Sequence, residues 1–230
     1  MIMTQAGLLQ SVQVGTPQRY GARGATDPME RPWKTSFFRT PGKEPRWLYT
    51  THLEGNEQAD KKHHGSLHQA VLMYAAAHYP AWQAELERQD IGPGGFGENF
   101  TVEGMSEETV CVGDIYAIGE AHIQVTGPRY PCSKIERRWS IPGLTVRVAE
   151  TGRTGWYCSV VQEGMIEPGM PVMLVERPYP RWTMALINDL GHSRSYDVEL
   201  ARELASCPLL DEWWQKMVVR GARKKARGMR

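Results

Sequence analysis

One cysteine, Cys132, has the surroundings expected of a reactive thiolate. It follows a predicted strand in the segment 128–132, PRYPC, and loops held by such strands commonly carry functional side chains. The two prolines of this segment restrict its backbone. Positive charge from Arg129 and Lys134 favours the thiolate, the form that binds metals and attacks electrophiles. These features also fit a partly buried structural cysteine, so both interpretations stay open at this point.

The other three cysteines have surroundings typical of core or linker positions. Cys111 and Cys158 lie inside or beside apolar strand patterns, and Cys207 precedes a proline in a helical region. The four cysteines are widely spaced and form no CxxC pair. In a reducing compartment they are expected to be free thiols.

A basic cluster at residues 61–68, KKHHGSLH, precedes a predicted helix. The backbone N–H groups at a helix start favour anions such as phosphate. His64 and His68 are four residues apart, a spacing found in zinc sites on helices. No HExxH motif and no paired cysteine accompanies them, so an anion or cofactor phosphate is favoured over zinc. A solvated basic turn is also compatible with this cluster.

The segment 92–97, GPGGFG, formally satisfies the G-x-G-x-x-G pattern. The dinucleotide fingerprint requires a strand before the glycines and a helix that opens within them. Here a helix precedes the segment and a strand follows it, so no Rossmann unit is expected. We therefore expect that the chain does not accept hydride from a nicotinamide by itself, and that the glycines let a loop approach a ligand closely.

Short strands dominate the first two thirds of the chain. Alternating apolar residues and turn signals predict strands at 8–14, 33–40, 47–52, 100–102, 114–118, 121–126, 156–161 and 171–176, with turns at 41–43 and Gly164. Helical spacing predicts helices at 68–79, from Pro80 to about 88, and at 143–151. This pattern predicts a mainly β fold with helices, a closed or nearly closed β-barrel with helices packed outside.

The last fifty residues have a different composition and predict three short helices. Thr183, Asp197 and Asp211 can cap them. Because short helices cannot each bury a face alone, they should pack together or on the barrel. The predicted organisation is a barrel domain over residues 1–178 and a three-helix extension over 179–230. Its apolar faces, with Trp213 and Trp214, are compatible with a homodimer.

Charge and hydropathy set limits on partners and location. The net charge is +1, which gives no reason to expect nucleic acid as a partner. The basic tail at 220–230 fits a solvated terminus, with a salt-sensitive nucleic-acid or partner contact as the alternative. The start of the chain lacks the features of a secretory signal, and no stretch is apolar enough to span a membrane. A cytoplasmic protein is expected.

Several segments in this order resemble the MOSC family, the molybdenum cofactor sulfurase C-terminal domain, and within it the YiiM-like branch with a helical extension. The resembling residues are LEGNEQAD at 53–60, Lys62, His64 and Gly65, FGENF at 96–100, VGDI at 112–115, Pro128-Arg129 with Pro131-Cys132, and Gly152 with Gly155-Trp156. Each motif is weak by itself, and the ordered spacing that ends at the cysteine is what identifies the family. The chain departs from the family pattern at Ser66 and at Gln69, where arginine is common.

The resemblance implies a barrel whose open end holds a molybdenum cofactor of the molybdopterin type, with Cys132 as the molybdenum ligand. It assigns cofactor contacts to Lys62, His64, Gly65, Gly97, Glu98, Asn99, Phe100 and Arg129. Family members reduce N-hydroxylated compounds, and others transfer sulfur to the cofactor. The chemistry implied here is reductive removal of oxygen from an N–OH group.

Three functions follow as alternatives. The first is a molybdenum-dependent oxidoreductase that detoxifies N-hydroxylated bases or related small molecules and receives electrons from a separate reductase. The second is a cofactor-binding or sulfur-carrier protein that forms a persulfide on Cys132 without reductase turnover. The third is a binding protein that uses the basic tail and the helical extension.

Overall fold

A computed structural model describes residues 3–60, 65–192 and 197–228 of the chain. The strands are β1 (Thr4–Val14), β2 (Gln18–Tyr20), β3 (Trp33–Thr35), β4 (Thr40–Gly42), β5 (Arg46–Leu48), β6 (Val71–Ala75), β7 (Phe100–Glu103), β8 (Ile115–Ile118), β9 (Ala121–Pro128), β10 (Trp156–Gln162), β11 (Gly164–Ile166) and β12 (Pro171–Glu176). The α-helices are α1 (His78–Leu86), α2 (Lys134–Trp139), α3 (Leu144–Thr151), α4 (Met184–Gly191), α5 (Val198–Ala205) and α6 (Glu212–Gly228), and a 3-10 turn spans Leu67–Gln69.

Seven strands close into a barrel. The sheet order is β12-β8-β9-β10-β6-β7-β1, and β12 pairs with the first part of β1 to complete the ring, while β4 pairs with the end of β1 at Val12–Val14. The closing pair is antiparallel and aligns Thr4 with Leu174. The β6–β7 pair is parallel. The mainly β class with a closed barrel and outer helices, expected from the sequence, is confirmed.

Strand β9 shows why these residues form the wall of a barrel. Ala121, Ile123 and Val125 are buried in the core, and the intervening His122 and Gln124 are partly exposed. Successive side chains of a strand point to opposite faces, so this alternation places one face inside.

The helix predicted at 68–79 is wrong, because residues 71–75 form strand β6. All five of its residues are buried. Val71, Met73 and Ala75 belong to the barrel core, whereas Tyr74 packs on the other face with Phe96. A strand covered on both faces loses the polar alternation that marks strands, so its apolar spacing also fits a helix.

Four smaller expectations also differ from the structure. The strand predicted at 33–40 is interrupted, because residues 36–39 leave the sheet. Strand β5 is shorter than the predicted segment 47–52, and the predicted turns at 41–43 and at Gly164 lie partly or fully in strands β4 and β11. The short helix α2, directly after Cys132, was not predicted. The second predicted helix, from Pro80, corresponds to α1, where the proline lies in the first turn.

Three C-terminal helices form, with the predicted caps. The Thr183 hydroxyl accepts a hydrogen bond from the Leu186 N–H at 3.2 Å, and Asp197 and Asp211 accept from N–H groups at the starts of α5 and α6. Helix α6 runs further than predicted, through the basic tail to Gly228. In the described part of the chain, no helix is both long and apolar enough to cross a membrane.

Candidate functional site

Cys132 lies in the loop between strand β9 and helix α2. The loop is held at its start by the Arg129 N–H, which donates to the Gly155 carbonyl at 2.9 Å. The Cys132 carbonyl accepts from the Ile135 N–H at 3.1 Å and from the Thr145 hydroxyl at 3.2 Å. Cys132 is partly exposed, whereas the other three cysteines are buried.

Burial makes two of the remaining thiols harder to deprotonate than an exposed thiol. It raises the pKa of Cys111 and, more strongly, the pKa of Cys158, whose sulfur lies 3.6 Å from the Met73 sulfur. A thiol that stays protonated is a poor nucleophile and a poor metal ligand. Cys111 and Cys158 therefore have the core roles that their sequence context predicted.

A polar cavity opens beside Cys132, and we call it the polar chamber. Its empty space is about 590 Å³ including the open mouth. The lining residues are Thr35, Ser36, Phe37, Arg39, Gln58, Ala59, Asp60, Gln69, Leu72, Gly97, Asn99, Arg129, Tyr130, Cys132, Lys134 and Tyr157.

Two buried arginines give the polar chamber an unsatisfied positive charge. Arg39 is 7% exposed and Arg129 is 2% exposed. Nε and Nη1 of Arg39 and Nη1 of Arg129 have no hydrogen-bond partner among the described residues. Burial lowers the pKa of Arg39 to about 10, and the neighbouring Arg129 contributes to this shift. Buried guanidinium donors without acceptors favour a bound anion.

The loop before strand β7 brings backbone and amide groups to the polar chamber. Asn99 is buried and is held on both sides. Its Oδ1 accepts from the Leu72 N–H at 3.2 Å, and its Nδ2 donates to the Gln13 carbonyl at 3.3 Å. Gly97 has φ of 76°, and a Cβ there would lie 2.6 Å from the Phe37 ring. Glycine is therefore required where the loop meets this ring.

Glu98 supports this loop from behind. Its carboxylate accepts hydrogen bonds from the Tyr79 hydroxyl, from the Gly94 N–H and, at 3.0 Å, from the Phe96 N–H. Burial and the adjacent Glu98 raise the pKa of Tyr79 well above its usual value, so the phenol stays a donor. Gly94 has φ of 85°, and a Cβ there would lie 2.4 Å from the Arg39 carbonyl. The glycine-rich segment 92–97 therefore packs on the backbone that carries Arg39.

The structure brings together four of the predicted site residues. Gly97, Asn99, Arg129 and Cys132 line the polar chamber. Glu98 lies behind the chamber wall, as described above, and the fully buried Phe100 belongs to the barrel core on β7, so neither lines the chamber. Gly65 is exposed and is not part of the lining. Lys62 and His64 lie outside the described residues.

Sequence reasoning missed Arg39. The segment WKTSFFRT at 33–40 has a pattern that predicts a strand. The one feature that could have marked Arg39 as a site residue is its charge beside the aromatic residues of this segment. The chain leaves the sheet there, and Phe37 lies 5.8 Å beneath the Arg129 guanidinium. Gln69, where the family commonly has arginine, also lines the chamber, and its buried Oε1 has no partner within the described ranges. Arg39 supplies positive charge to the same chamber.

A second cavity adjoins the first, and we call it the aromatic slot. It is lined by Gln69, Thr126, Gly127, Pro128, Tyr130, Cys132, Tyr157, Asp211, Trp213 and Trp214. Gln69, Tyr130, Cys132 and Tyr157 line both cavities. Cys132 therefore lies at the junction of a polar, positively charged chamber and a mostly apolar slot, whose far wall is the start of α6.

Comparison with known proteins identifies the family. A family model described as MOSC domain matches residues 60–173. The uncharacterized protein YflK of Bacillus subtilis is 33% identical over 205 residues, which cover 89% of this chain and 90% of YflK. The chain belongs to the MOSC domain family. The resemblance inferred from the ordered motifs is thus confirmed.

Two further proteins are similar to this chain, one by its solved structure and one by its sequence. The crystal structure of YiiM from Geobacillus stearothermophilus has a TM-score of 0.75 and 30% identity, and the match covers 94% of this chain and 99% of that one. A protein named reductase from Gibberella moniliformis is 36% identical over 180 residues, covering 77% of this chain and 32% of that protein. The fold of the YiiM structure is therefore shared over nearly the whole chain. One relative in sequence is named as a reductase.

The residues of the polar chamber fit a molybdopterin-type cofactor. Its phosphate is an anion, which the unpaired donors of Arg39 and Arg129 can bind, and its metal can take a thiolate ligand of the kind that Cys132 offers. Within residues 3–60, 65–192 and 197–228, no group of three or more His, Cys, Asp or Glu side chains could hold a metal ion. Cys132 is thus the candidate thiolate ligand in this part of the chain.

Proposed function

We propose that this MOSC protein is a molybdenum cofactor-dependent oxidoreductase that reduces N-hydroxylated compounds, with the Cys132 thiolate as the metal ligand. The observation that carries the proposal is a partly exposed cysteine at the edge of a chamber with two buried arginines whose donors lack acceptors within the described ranges. A single thiolate beside an anion site matches a metal delivered on a phosphorylated organic cofactor.

Each part of the chain has a defined role in this proposal. Arg39 and Arg129 would bind the cofactor phosphate, and Asn99 and the Gly97 backbone would contact its ring system. Lys62, His64 and Gly65 are assigned to the same cofactor. Glu98 acts through the loop it supports, and Phe100 anchors that loop in the core. The bound cofactor would supply two-electron oxygen-atom chemistry beside Cys132.

Electrons come from a separate reductase in this proposal. The segment 92–97 follows helix α1 and leads into strand β7, so it is not the strand–glycine–helix unit that binds a dinucleotide. The redox name of the relative from Gibberella moniliformis supports the oxidoreductase class.

The test measures metal and turnover in the same preparation. The protein is purified from a host that makes the cofactor, its molybdenum is determined by elemental analysis, and reduction of 6-N-hydroxylaminopurine is followed with a reduced artificial electron donor. We expect nearly stoichiometric molybdenum, and loss of both metal and turnover in Cys132→Ser. Cys207→Ala, a buried cysteine outside both cavities, is the matched control and should retain both.

Two results would contradict the proposal. Full molybdenum in Cys132→Ser would exclude the ligand assignment. A persulfide on Cys132 together with no reduction of the purine would favour the sulfur-carrier alternative.

A further inference from the structure

We propose that the surface around the Cys132 loop is a docking face for the electron donor, and that this donor is an acidic electron-transfer protein. The inference rests on the proposed function and adds the chemistry of the partner that supplies its electrons. Reduction of an N–OH group to an amine and water consumes two electrons and two protons. The donor is therefore oxidised by two electrons in each turnover, and the protons come from water.

Exposed apolar side chains gather beside the Cys132 loop, and we call them the apolar rim. The apolar rim consists of Leu67, Tyr130, Val146 and Trp213. These are four of the eight large hydrophobic residues that are exposed in the described part of the chain. Because a folded protein gains by burying such groups, exposed apolar side chains that cluster at one place mark an interaction surface.

Two members of the apolar rim lie directly at the candidate metal ligand. Tyr130 and Trp213 line the aromatic slot together with Cys132. Their ring centroids are 4.6 Å apart, and Tyr130 also lines the polar chamber. A protein that covers these two rings therefore comes close to the position where electrons are needed.

The other two members of the apolar rim are joined to the same site. Val146 follows Thr145, whose hydroxyl donates to the Cys132 carbonyl at 3.2 Å. Leu67 belongs to the same 3-10 turn as Gln69, and Gln69 lines both cavities. The apolar rim thus includes parts of three segments that are separate in the sequence and meet only in the fold.

A row of basic residues on helix α6 continues from the apolar rim, and we call it the basic stripe. The basic stripe consists of Lys216, Arg220 and Arg223. They follow Trp213 at spacings of three, four and three residues, so they share one face of the helix with that ring. Positive charge therefore extends along α6 from the apolar rim.

Two arginines of the basic stripe are available to a partner. Arg223 is exposed and Arg220 is partly exposed, and neither forms an ion pair with a residue that the structure describes. Lys216, in contrast, pairs with Glu212 at 3.1 Å. At the helical rise, Arg220 and Arg223 lie about 10 and 15 Å along the axis from Trp213. A transient redox interface of about 600 Å² per partner can therefore include both the apolar rim and these arginines.

The distribution of charge along the chain favours an acidic protein over a nucleic acid. Residues 220–230 contain six Lys or Arg and no acidic residue. Because the net charge of the whole chain is +1, the rest of the chain has a net charge of −5. A long polyanion would meet this negative charge as well as the basic stripe. The acidic face of a protein can be local, and its apolar groups can bury the apolar rim.

This combination of surfaces suits a partner that must bind and leave in every turnover. Complementary charge raises the rate of association and orients the encounter. A small apolar contact then holds the partner only briefly, because weak electron-transfer complexes bury little area. The basic stripe thus guides the donor, and the apolar rim fixes where it contacts the protein.

The first experiment measures docking without turnover. The probe is oxidised flavodoxin, a small acidic protein that carries FMN, and its affinity for the purified, cofactor-loaded protein is measured by microscale thermophoresis. At about 0.01 M salt, where charges act over about 30 Å, we expect Arg220→Gln combined with Arg223→Gln to weaken binding about tenfold. At about 1 M salt, where that distance is about 3 Å, the variant and the unchanged protein should bind equally.

Arg19→Gln combined with Arg23→Gln is the matched control. Both arginines are exposed, and they lie on strand β2 and shortly after it, outside both cavities. This variant loses the same charge away from α6 and should bind flavodoxin like the unchanged protein. Glutamine favours helix nearly as well as arginine, so the variant in the basic stripe retains its helix.

The second variant adds a negative charge to the apolar rim. Val146 is 57% exposed on helix α3, so Val146→Glu should fold normally and repel the acidic face of flavodoxin. We expect about fivefold weaker binding at low salt. Val161→Glu makes the same change on strand β10, at a residue that is 49% exposed and lies outside both cavities. This control should leave the affinity unchanged.

A third measurement separates docking from chemistry. Reduction of 6-N-hydroxylaminopurine is driven either by reduced flavodoxin or by reduced methyl viologen, a small molecule that needs no docking face. For Arg220→Gln combined with Arg223→Gln at low salt, we expect kcat/KM for flavodoxin to fall about tenfold. The rate with methyl viologen should not change, because these arginines lie outside both cavities.

Three results would decide against the docking face or against the proposed function. Equal flavodoxin affinity in all variants would overturn the docking face while leaving the molybdenum content and the turnover with methyl viologen intact. If the variant in the basic stripe instead loses a short DNA duplex, or dissociates from a dimer in sedimentation, while it still binds flavodoxin normally, the basic stripe serves a nucleic acid or a second copy of the chain. A protein without molybdenum or turnover that still binds flavodoxin through the basic stripe would retain the docking face and contradict the proposed function.

Discussion

Arg39, which we propose binds the cofactor phosphate, opposes the stability of the fold around it. Its guanidinium is almost completely buried, and two of its nitrogens have no acceptor among the described residues. Burial lowers the Arg39 pKa to about 10 from 12.5. Because the folded state disfavours the charged form, folding is penalised at pH values below about 10, and the penalty decreases as the pH rises from there. The proposed cofactor phosphate would offset this cost at neutral pH.

Replacing Arg39 should therefore separate stability from binding. We expect Arg39→Met to raise the unfolding free energy of the cofactor-free protein by about 1 kcal/mol at pH 7, and to lower the molybdenum content of the protein purified from a cofactor-proficient host. Denaturant unfolding and elemental analysis measure the two effects.

Arg177 provides the contrast for this prediction. It forms an ion pair with the buried Asp114 at 2.7 Å, so Arg177→Met should destabilise the protein by leaving that carboxylate unpaired. A lower stability of Arg39→Met at pH 7, like that of the control, would contradict the account of Arg39.

At the scale of elements, Gly97 allows the loop before β7 to pack against the Phe37 ring beside the polar chamber. Gly97→Ala places a methyl group against the Phe37 ring at a positive φ. We expect it to destabilise the protein by about 2 kcal/mol and to lower molybdenum content, because Phe37 lies beneath Arg129. Thermal unfolding and elemental analysis test this.

Gly152→Ala is the matched control for the Phe37 contact. Gly152 has φ of 72°, and a Cβ there would meet no heavy atom of the described residues within 4 Å, so alanine introduces backbone strain alone. It should cost less stability and leave the metal content unchanged. An equal loss of metal in both variants would show that Phe37 is not responsible.

The sequence predicted elements well where one face is polar and poorly where both faces are buried. Strands β9 and β12 and helix α3 follow their patterns, whereas β6 does not, since Tyr74 and Met73 are covered on opposite sides. The resemblance to the MOSC family implied that Gly97, Asn99, Arg129 and Cys132 belong to one site. Arg39 and the aromatic slot were not predictable, because only the fold brings residues 39 and 213 to either side of Cys132.

At the scale of the whole molecule, the barrel and the C-terminal helices share one core. Trp182, Ile187, Leu204 and Trp214 belong to the same buried cluster as the strands. The boundary at residue 178 therefore remains a proposal about sequence organisation, and the contacts favour a single cooperative unit.

This predicts the unfolding behaviour of a core variant in α6. Trp214→Ala should lower the unfolding free energy by about 3–5 kcal/mol, with one transition seen both by tryptophan fluorescence and by far-ultraviolet circular dichroism. Met165→Ala, on the partly exposed surface of β11, should change stability little. Two separate transitions in either protein would indicate that residues 179–230 unfold on their own.

The pairing of β1 with β12 also governs how the chain can fold while it is being made. Thr4 cannot pair until Leu174 has been synthesised. At ribosomal speeds of about 5–20 residues per second, the interval between the synthesis of these two residues is roughly 10–30 s. During that time β1 has an unpaired edge, a state that favours association with other chains. Completion of the ring is thus a late event in biosynthesis.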